Sequence, residues 1–413
     1  MASDWLEVTL GDVLDLKRGY DLPQRERGLG SVPLVSSSGI SDHITGAMVK
    51  GPGVVTGRYG TLGQVFYIEE DFWPLNTTLY VQDFKGNDER FISYFLRSLD
   101  FLAYSDKAAV PGLNRNHLHQ ARVRIPAEVA EQRAIASVLG ALDDKIDLNR
   151  RMSETLEALA RALFKSWFVD FDLARAKAEG KGTGLPEKVA EHFPRAFVDS
   201  EAGELLEGWD VRPVGDLASV VGGTTPRTSE PAYWDGGTHH WATPKDLASL
   251  HTPILLDTTR RITDAGLSQI GSGLLPPGTV LLSSRAPIGY LAVTEVPVAI
   301  NQGFIAMVPR PGVSNLFLLH WARHAHDIIV SRANGSTFLE ISKANFRPIP
   351  VVVPPQPLLR AFDDLTQPLH ARMVTCERES STLALLRDTL LPKLISGELR
   401  VPDAERIGVR AGA

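Results

Sequence analysis

The sequence contains a single cysteine, Cys376, among its 413 residues. One cysteine cannot form a disulfide within the chain, and it leaves no cysteine-based zinc site. The chain also lacks any run of about 18 uncharged apolar residues, and its first residues show no basic stretch followed by an apolar block. These absences disfavour secretion and membrane spanning. We therefore expect a folded protein of the reducing cytoplasm with no membrane partner.

Motifs for cofactors and catalysis are absent as well. The sequence has no Gly-x-x-x-x-Gly-Lys-Ser/Thr phosphate loop, no Gly-x-Gly-x-x-Gly dinucleotide turn and no Gly-x-Ser-x-Gly nucleophile elbow. An Asn-Pro-Pro-aromatic tetrapeptide, which amino-methylating DNA enzymes place against the flipped base, is missing too. The sequence therefore predicts a protein with no cofactor of its own and no catalytic residues.

Two residue clusters resemble metal or catalytic sites and are better explained otherwise. His320 and His324 share a helix face, but zinc peptidases need a glutamate directly after the first histidine, and Trp321 stands there. We predict a structural or surface role for these histidines. The acidic run Asp143 to Asp147 contains Ile146, which belongs to an apolar helical stripe, so we predict that its carboxylates form a solvated face.

The charge balance offers no strongly basic segment. The net charge is −6, with 43% hydrophobic and 22% charged residues, which is typical of a folded globular chain. Residues 1–128 and 129–206 each carry −3, whereas 207–355 and 356–413 are neutral. No segment could hold a phosphate backbone unaided. If the chain binds DNA, another component must supply much of the positive charge.

The chain repeats itself. Gly11 matches Gly215 at an offset of 204, and Arg58 matches Arg285 at an offset of 227, so the second copy has gained 23 residues in between. After that the offset is almost constant. The later matches pair Asn76-Thr77 with Asn301-Gln302, 113–118 with 341–346, and Ile125-Pro126 with Val353-Pro354.

Each copy consists of a strand-rich globule and a long helix. Short β-branched runs that end in turns predict strands, and patches at 89–102 and 316–330 have helical spacing. From Val129 to about Phe171, and again from about Leu358 to Ser396, apolar residues recur in a 3,4 alternation. Pro368 and Pro392 weaken the second helix locally. The strand predictions are Val54-Val55-Thr56, Val65-Phe66-Tyr67-Ile68, Thr279-Val280-Leu281-Leu282 and Leu291-Ala292-Val293.

This pattern predicts a mixed α/β fold with an internal pseudo-twofold repeat. We favour pairing of the two long helices in an antiparallel coiled coil, because both copies have one; packing of each helix onto its own globule is the alternative. The stretch 173–206 is polar and glycine-rich, which is typical of a flexible connector. The predicted segments are recognition globules at 1–128 and 207–355, long helices at 129–172 and 356–397, the connector, and a tail at 398–413.

Two arginines are the best candidates for DNA contacts. Arg58 and Arg285 each follow an apolar strand in a turn, and a guanidinium can bind guanine O6 and N7, or a phosphate, with two hydrogen bonds. An intramolecular salt bridge is the alternative. Other polar residues nearby could bind bases or could equally be turn and cap residues. The further candidates are Lys17, Arg18, Ser37, Tyr59, Asn76, Arg115, His117, Thr225, Arg227, Lys245, Ser284, Asn301, Gln302, Lys343 and Asn345.

Several segments resemble one protein family. The run from Glu131 to Asp147, continuing to Phe164-Lys165-Ser166-Trp167-Phe168, is similar to the central conserved region of type I restriction-modification specificity subunits. Residues 390–399 resemble their C-terminal conserved region, and Gly208-Trp209 with 214–217 resembles the start of a target recognition domain. The resemblance covers essentially the whole chain. Leu358-Leu359-Arg360 replaces an expected Glu-Gln pair, which puts local capping in doubt.

The resemblance implies a division of labour. Two target recognition domains would each bind one half of a bipartite sequence in double-stranded DNA, and two antiparallel helices would hold them a fixed distance apart. Two methylation subunits would carry S-adenosylmethionine, and motor-nuclease subunits would carry ATP, so this chain would do no chemistry. Two alternatives stay open: a DNA-modifying or DNA-cleaving enzyme with an unrecognised active site, and a protein scaffold that does not bind DNA.

Overall fold

The computed structural model describes residues 5–104, 112–200, 203–335 and 339–411. Contacts between Cα atoms divide the chain into two compact units. Unit 1 comprises Met1–Asp147 and Ser380–Ala413, and unit 2 comprises Leu148–Glu379. Both boundaries fall within long helices, so each unit contains a part of each of these helices.

The strands are short and lie in both units. Those of unit 1 are β1 (Trp5–Thr9), β2 (Asp15–Arg18), β3 (Leu29–Ser36), β4 (Gly39–Ile44), β5 (Gly53–Gly57), β6 (Val65–Ile68), β7 (Trp73–Pro74), β8 (Thr78–Asp83) and β9 (Arg122–Pro126). Those of unit 2 are β10 (Phe197–Ser200), β11 (Gly203–Leu206), β12 (Asp210–Pro213), β13 (Ala218–Gly222), β14 (His239–Ala242), β15 (Ile254–Leu255), β16 (Arg260–Ile262), β17 (Val280–Ser284), β18 (Ile288–Thr294), β19 (Val298–Ile300), β20 (Phe304–Pro309) and β21 (Pro350–Val353). The four predicted strand runs are therefore confirmed in β5, β6, β17 and β18.

The helices are mostly short, with two exceptions of 40 and 41 residues. The α-helices are α1 (Leu10–Val13), α2 (Glu89–Arg97), α3 (Arg115–His119), α4 (Val129–Phe168), α5 (Asp172–Ala178), α6 (Glu187–Ala190), α7 (Val214–Leu217), α8 (Pro244–Ala248), α9 (Asp264–Leu267), α10 (Asn315–His324), α11 (His326–Ser331), α12 (Lys343–Phe346), α13 (Gln356–Ser396) and α14 (Val401–Ala411). Single 3-10 turns lie at Gln24–Glu26, Phe101–Tyr104 and Pro231–Tyr233.

The two units have the same sheet topology. Unit 1 has sheets in the orders β2-β8-β5-β6, β4-β3-β7 and β1-β9, and unit 2 has β13-β20-β17-β18-β15, β16-β14-β19 and β12-β21. The directions also agree, because β3 is parallel to β7 as β14 is to β19, and antiparallel to β4 as β14 is to β16. Unit 2 adds the strand β15 and the hairpin of β10 and β11. The predicted repeat and the mixed α/β class are confirmed.

One helix in each unit packs on the core and has the same type of N-terminal cap. In α2 the Asp88 side chain accepts a hydrogen bond from the Phe91 backbone N–H at 2.9 Å, and in α10 Ser314 accepts from Phe317 at 3.1 Å. These side chains satisfy amide groups that the first turn of a helix leaves without partners. Both phenylalanines are buried, so capping and core packing fix the same position in each copy.

The strand registers correct part of the sequence alignment. Gly57 pairs with Thr78, and Ser283 pairs with Phe304, which sets the offset in this region at 226. The matching of Arg58 with Arg285 is therefore wrong by one residue: Ser284 takes the place of Arg58, and Arg285 takes that of Tyr59. The same shift matches Asn76 with Gln302 rather than Asn301, and it shortens the insertion from 23 residues to 22. Similar turn residues suggested the first alignment, but hydrogen-bonded pairing determines the register.

The two long helices are confirmed, and α13 continues through Pro368 and Pro392. Within unit 1, Asp143 of α4 contacts Arg387 of α13. Within unit 2, Asn149 of α4 donates to the Glu379 carboxylate of α13 at 2.8 Å. Because a later residue of α4 meets an earlier residue of α13, the helix segments are antiparallel and in contact in each unit.

Two predictions about polar segments are wrong. The segment 173–206 is not a simple flexible connector, because it forms α5, α6 and the β10–β11 hairpin and buries Phe193, Leu205 and Leu206 in the core of unit 2. The acidic run is not a fully solvated face either. Asp143 accepts hydrogen bonds from the hydroxyl of Tyr94 at 2.7 Å and from Arg387 at 2.6 Å. These long-range partners could not be read from helical spacing.

Of the two histidines of α10, His324 is exposed and only His320 has a structural setting. His320 is buried, with its ring centroid 5.9 Å from that of Phe164 and 6.3 Å from that of Phe362. Burial, together with the charge of Arg323, lowers its pKa to about 3, so the ring is neutral at physiological pH. Within the described ranges, no group of three or more His, Cys, Asp or Glu side chains is arranged to hold a metal ion. No helix in those ranges is long and apolar enough to cross a membrane.

Candidate nucleic-acid interface

A cleft of about 730 Å³ in unit 1 gathers several residues predicted to bind DNA. It lies between the end of β2, the turn that follows β5 and the start of α3. Its lining includes Lys17, Arg18, Arg58, Tyr59 and Arg115 from the prediction. The remaining lining residues are Gly19, Tyr20, Asp21, Leu79, Gly112, Leu113, Asn114 and Asn116.

Backbone pairing holds the cleft residues in place. Arg18 pairs with Leu79 at the end of the β2–β8 ladder. The backbone of Arg58 is fixed on two sides, because its N–H donates to the Thr77 carbonyl at 2.8 Å and its carbonyl accepts from Leu113 at 3.0 Å. At the start of α3, the Asn114 side chain accepts from the Asn116 backbone N–H at 3.0 Å. The guanidinium groups are thus carried by rigid strand and helix ends.

The cleft has a local excess of positive charge, although residues 1–128 together carry −3. Four of its lining residues are cationic and one, Asp21, is anionic. That carboxylate lies 3.6 Å from the Arg18 guanidinium and accepts a hydrogen bond from the Asn76 amide. Since surface potential depends on where charges lie and not only on their sum, the cleft can attract phosphate groups that the segment as a whole would repel.

Tyr59 forms one wall of this cleft. Its ring lies directly over Gly112, where an added Cβ atom would come within 2.5 Å of the ring and the tyrosine would have to move. The guanidinium of Arg58 lies 4.7 Å from the centroid of the same ring. Tyr59 is 42% exposed, so an aromatic face and a cation are presented together. Ser37 approaches this turn beside Gly57 and Gly60.

The corresponding region of unit 2 has related chemistry on the same framework. Thr225 donates to the side-chain carbonyl of Gln302, and these residues occupy the positions of Asp21 and Asn76. Lys343 takes the position of Arg115, is exposed at the start of α12, and extends along Gly222. An amide, a hydrogen-bonding partner and a cation therefore recur in both units.

Arg285 differs from Arg58 in its partner. It follows β17 in the turn before β18, as predicted, and its Nη1 lies 3.5 Å from Oε2 of Glu340. The salt bridge considered as an alternative is thus present for Arg285. Both side chains are exposed by more than a third, and exposed ion pairs stabilise a fold only slightly.

The other predicted residues are scattered. Ser284 is buried in β17 with 2% exposure, so its side chain cannot reach DNA and that prediction is wrong. Asn301 accepts from the Gly303 N–H at 2.8 Å, as turn residues do. Asn345 lies in α12 and donates to the Arg332 carbonyl at 3.1 Å. His117, Arg227 and Lys245 are exposed, and His117 lies outside the cleft lining.

Sequence reasoning missed four relevant residues. Tyr20 and Asp21 lie two and three residues after Arg18, and Asn114 precedes Arg115, so proximity in the chain was the available signal. Tyr20 stacks on Tyr80 and shares a hydrogen bond of 2.9 Å between the hydroxyls. Glu340 had no such signal, because its pairing with Arg285 depends on the tertiary fold.

The chain matches known proteins over most of its length. The sequence model described as the type I restriction modification DNA specificity domain matches residues 2–158 and 206–358. The chain is 34% identical over 180 residues to the type I restriction enzyme MjaIX specificity subunit of Methanocaldococcus jannaschii, covering 41% of each chain. It is 24% identical over 344 residues to the HindI specificity subunit of Haemophilus influenzae, covering 72% of this chain and 73% of that one.

A solved structure has the same fold. The type I restriction-modification S subunit from M. genitalium superposes with a TM-score of 0.60, covering 95% of this chain and 96% of that one, at 17% sequence identity. At this identity the likeness concerns the fold alone. It agrees with the two repeated α/β units and the long helices α4 and α13.

Proposed function

The chain belongs to the type I restriction-modification DNA specificity family, and on that premise we propose that each of its units recognises one half of a bipartite target in double-stranded DNA. It is a specificity subunit and not itself an enzyme. The recognition domains would be residues 1–128 and 207–355. The cationic cleft of unit 1 is the observation that carries this proposal.

The cleft chemistry suits DNA. Arginine can bind guanine O6 and N7 with two hydrogen bonds, and both arginine and lysine bind phosphates. Phosphate contacts position a protein on the duplex, whereas contacts to base edges select the sequence. We assign Arg58 and Tyr59 to the first half of the target, and Arg285 with Gln302 to the second half.

The long helices would set the spacing between the two halves. About 40 residues at a rise of 1.5 Å per residue give roughly 60 Å of helix. The antiparallel packing of α4 and α13 in each unit supports a rigid spacer. The target would then consist of two short specific sequences around a nonspecific segment, with the methylated adenines about one DNA turn of 10 to 10.5 base pairs apart.

Partner subunits would supply what this chain lacks. Two methylation subunits would bring S-adenosylmethionine, and motor-nuclease subunits would bring ATP and cleavage. The absence of cofactor motifs and the segment charges between −3 and 0 support this assignment. The complex would act in the cytoplasm, where it meets DNA and where its partners would complete the positive surface.

Gel-shift titration with and without the methylation subunits tests the proposal. We expect weak binding by the chain alone and sequence-specific binding after assembly. Tight specific binding by the chain alone would show that partners do not provide the clamp. Methyl transfer or cleavage by the purified chain would favour an enzyme, and no DNA binding by the assembled complex would favour a scaffold. A methylome of cells that express both components would identify the target.

A further inference from the structure

One pair of positions in the candidate nucleic-acid interface carries different side chains in the two units, although its backbone hydrogen bonding is the same. In unit 1, Tyr59 is bridged to Gly112, and in unit 2, Arg285 is bridged to Glu340. The adjacent hydrogen bond is also equivalent, because Leu113 and Ile341 each donate their backbone N–H across the bridge at 3.0 Å. The exchange of a tyrosine and glycine for an arginine and glutamate therefore occurs at matched sites.

The backbone of Glu340 is held in a defined place. Its backbone N–H and carbonyl both bond to Asn334 at 2.9 Å, and its other side is bridged to Arg285. The residue is thus fixed between two neighbouring segments, while its side chain is 46% exposed. Backbone pairing on both sides therefore fixes the point from which the Glu340 side chain extends.

The contact with Arg285 leaves hydrogen-bonding capacity on both side chains. Nη1 of Arg285 lies 3.5 Å from Oε2 of Glu340. A carboxylate has about four lone-pair sites and a guanidinium has five N–H donors, so a single contact of this length uses little of either. Because an exposed ion pair stabilises a fold only slightly, stability does not explain why a carboxylate stands here.

We propose that Glu340 is a specificity-determining residue of unit 2, which accepts a hydrogen bond from the exocyclic amino group of a base while Arg285 holds its carboxylate in place. The inference rests on the proposed function of unit 2. In the major groove, N4 of cytosine and N6 of adenine are the amino groups that donate, and carboxylates pair with such donors. Glu340 would repel bases that present only acceptors, and it would also repel phosphates.

Unit 1 would act differently at the matched site. Gly112 has no side chain, and the ring of Tyr59 covers it. An aromatic face makes contacts with bases and sugars without choosing between donors and acceptors. The matched site in unit 2 would thus distinguish between base pairs in its half of the target, whereas the site in unit 1 would not do so in the other half.

The test compares wild type with Glu340→Gln, each assembled with the methylation subunits. A panel of labelled duplexes places each of the four base pairs in turn at every position of the second half of the target. Fluorescence anisotropy of the duplex gives Kd at several salt concentrations. We expect wild type to prefer cytosine or adenine at one position, and the panel distinguishes these two sources of an amino group. Glu340→Gln should lose about tenfold discrimination there, because the amide can also donate. Its nonspecific binding should tighten, because a repulsive charge is removed from the DNA surface.

Controls separate this inference from the function on which it rests. Asp199→Asn makes the same change of charge on the exposed strand β10, and we expect it to leave the second-half panel unchanged. Thermal melting checks that Glu340→Gln folds like wild type. Unchanged discrimination at every second-half position in Glu340→Gln would overturn the inference while leaving the proposed function intact. A wild-type complex with no second-half preference at any position would overturn both.

Discussion

The two units hold the long helices with partly different contacts. In unit 1, Asp143 of α4 binds Tyr94, Arg97 and Arg387, so a charged network joins α2, α4 and α13. In unit 2, the rings of Phe168 and Phe362 lie 5.1 Å apart between centroids, within an aromatic cluster. The other rings of that cluster include Phe164, Trp167, Trp209 and Phe317. Both units combine the two kinds of contact, because Arg323 of α10 pairs with Glu157 of α4 in unit 2, and Leu139 and Leu390 lie in the apolar core of unit 1. The units differ in the added element, which is the network around Asp143 in unit 1 and the aromatic cluster in unit 2.

Lengthening α4 and α13 equally should have the largest effect on DNA recognition. It would change the distance between the two recognition domains while leaving the contacts that hold the helices in each unit intact. One heptad is inserted after Leu148 in α4 and another after Glu379 in α13. Asn149 contacts Glu379, so these sites lie opposite each other. Each heptad adds about 10 Å, or roughly three base pairs at 3.4 Å each.

The double insertion should abolish specific binding to the original target, a loss of about 10³-fold or more, and favour a longer spacer. Gel shifts on targets with graded spacers measure this. A single insertion in α4 is the control, and we expect it to disturb helix packing. Methylation at the original spacing by a folded, assembled double-insertion protein would refute the spacer role.

Removing an aromatic side chain from unit 2 should have the next largest effect. Phe362 is fully buried and contacts the rings of Phe164, Trp167 and Phe168. Phe362→Ala should cost about 3 to 5 kcal/mol of unfolding free energy, through lost burial and the cavity left behind. Urea unfolding followed by tryptophan fluorescence measures the loss. Phe362→Leu should lose less, and a loss below about 1 kcal/mol for the alanine variant would show that the cluster does not anchor the helices.

Neutralising Asp143 tests the attachment in unit 1. Asp143→Asn should cost about 3 kcal/mol, because it leaves partly buried arginines without their carboxylate. Asp144→Asn is the matched control: Asp144 is 61% exposed, and its pair with Arg90 should contribute 0 to about 1 kcal/mol. Equal effects of the two substitutions would contradict a special role for Asp143.

The pH dependence sharpens the same comparison. Burial alone would raise the pKa of Asp143, but hydrogen bonds from Arg387 and Tyr94 and the charge of Arg97 outweigh it, so the pKa is lowered. Its contribution is therefore complete above the unfolded value of about 3.9 and is lost as the pH falls through the folded pKa. The unfolding free energies of wild type and Asp143→Asn should differ at pH 7, and this difference should shrink as the pH falls below about 4. A difference that persists in acid would be inconsistent with this ionisation.

The arginines should give the smallest effects, each confined to one half of the target. Arg58→Ala should weaken recognition of the first half by about 1 to 3 kcal/mol, and Arg285→Ala that of the second half, if each contacts a base. Arg406→Ala on α14 removes the same charge elsewhere and is the control. Equal losses on all sequences would indicate phosphate contacts, and no loss would leave Arg285 with a purely structural role.

The sequence alone was sufficient for the long helices and the repeat, because both depend on patterns that recur along the chain. The 3,4 alternation predicted α4 and α13 despite Pro368 and Pro392. The alignment of Arg58 with Arg285 failed because hydrogen bonds between strands distant in sequence determine the register. Phe193 and Leu205 were missed as core residues because their segment has no regular apolar period.

The candidate site was predicted in its members more than in its arrangement. Lys17, Arg58 and Arg115 were each proposed, but only the pairing of β2, β5 and β8 and the start of α3 brings them to one cleft. Ser284 was proposed from its place beside Arg285, and the strand buries it. Whether these side chains bind DNA stays a prediction.

The different side chains at matched positions of the two units would give a bound complex a direction. Tyr59 and Gly112 in unit 1 stand where unit 2 has Arg285 and Glu340. Two halves contacted by different side chains would not select the same bases, so the target would not be a palindrome. Every site on a chromosome would then have an orientation, and the complex would face one way along the DNA wherever it binds.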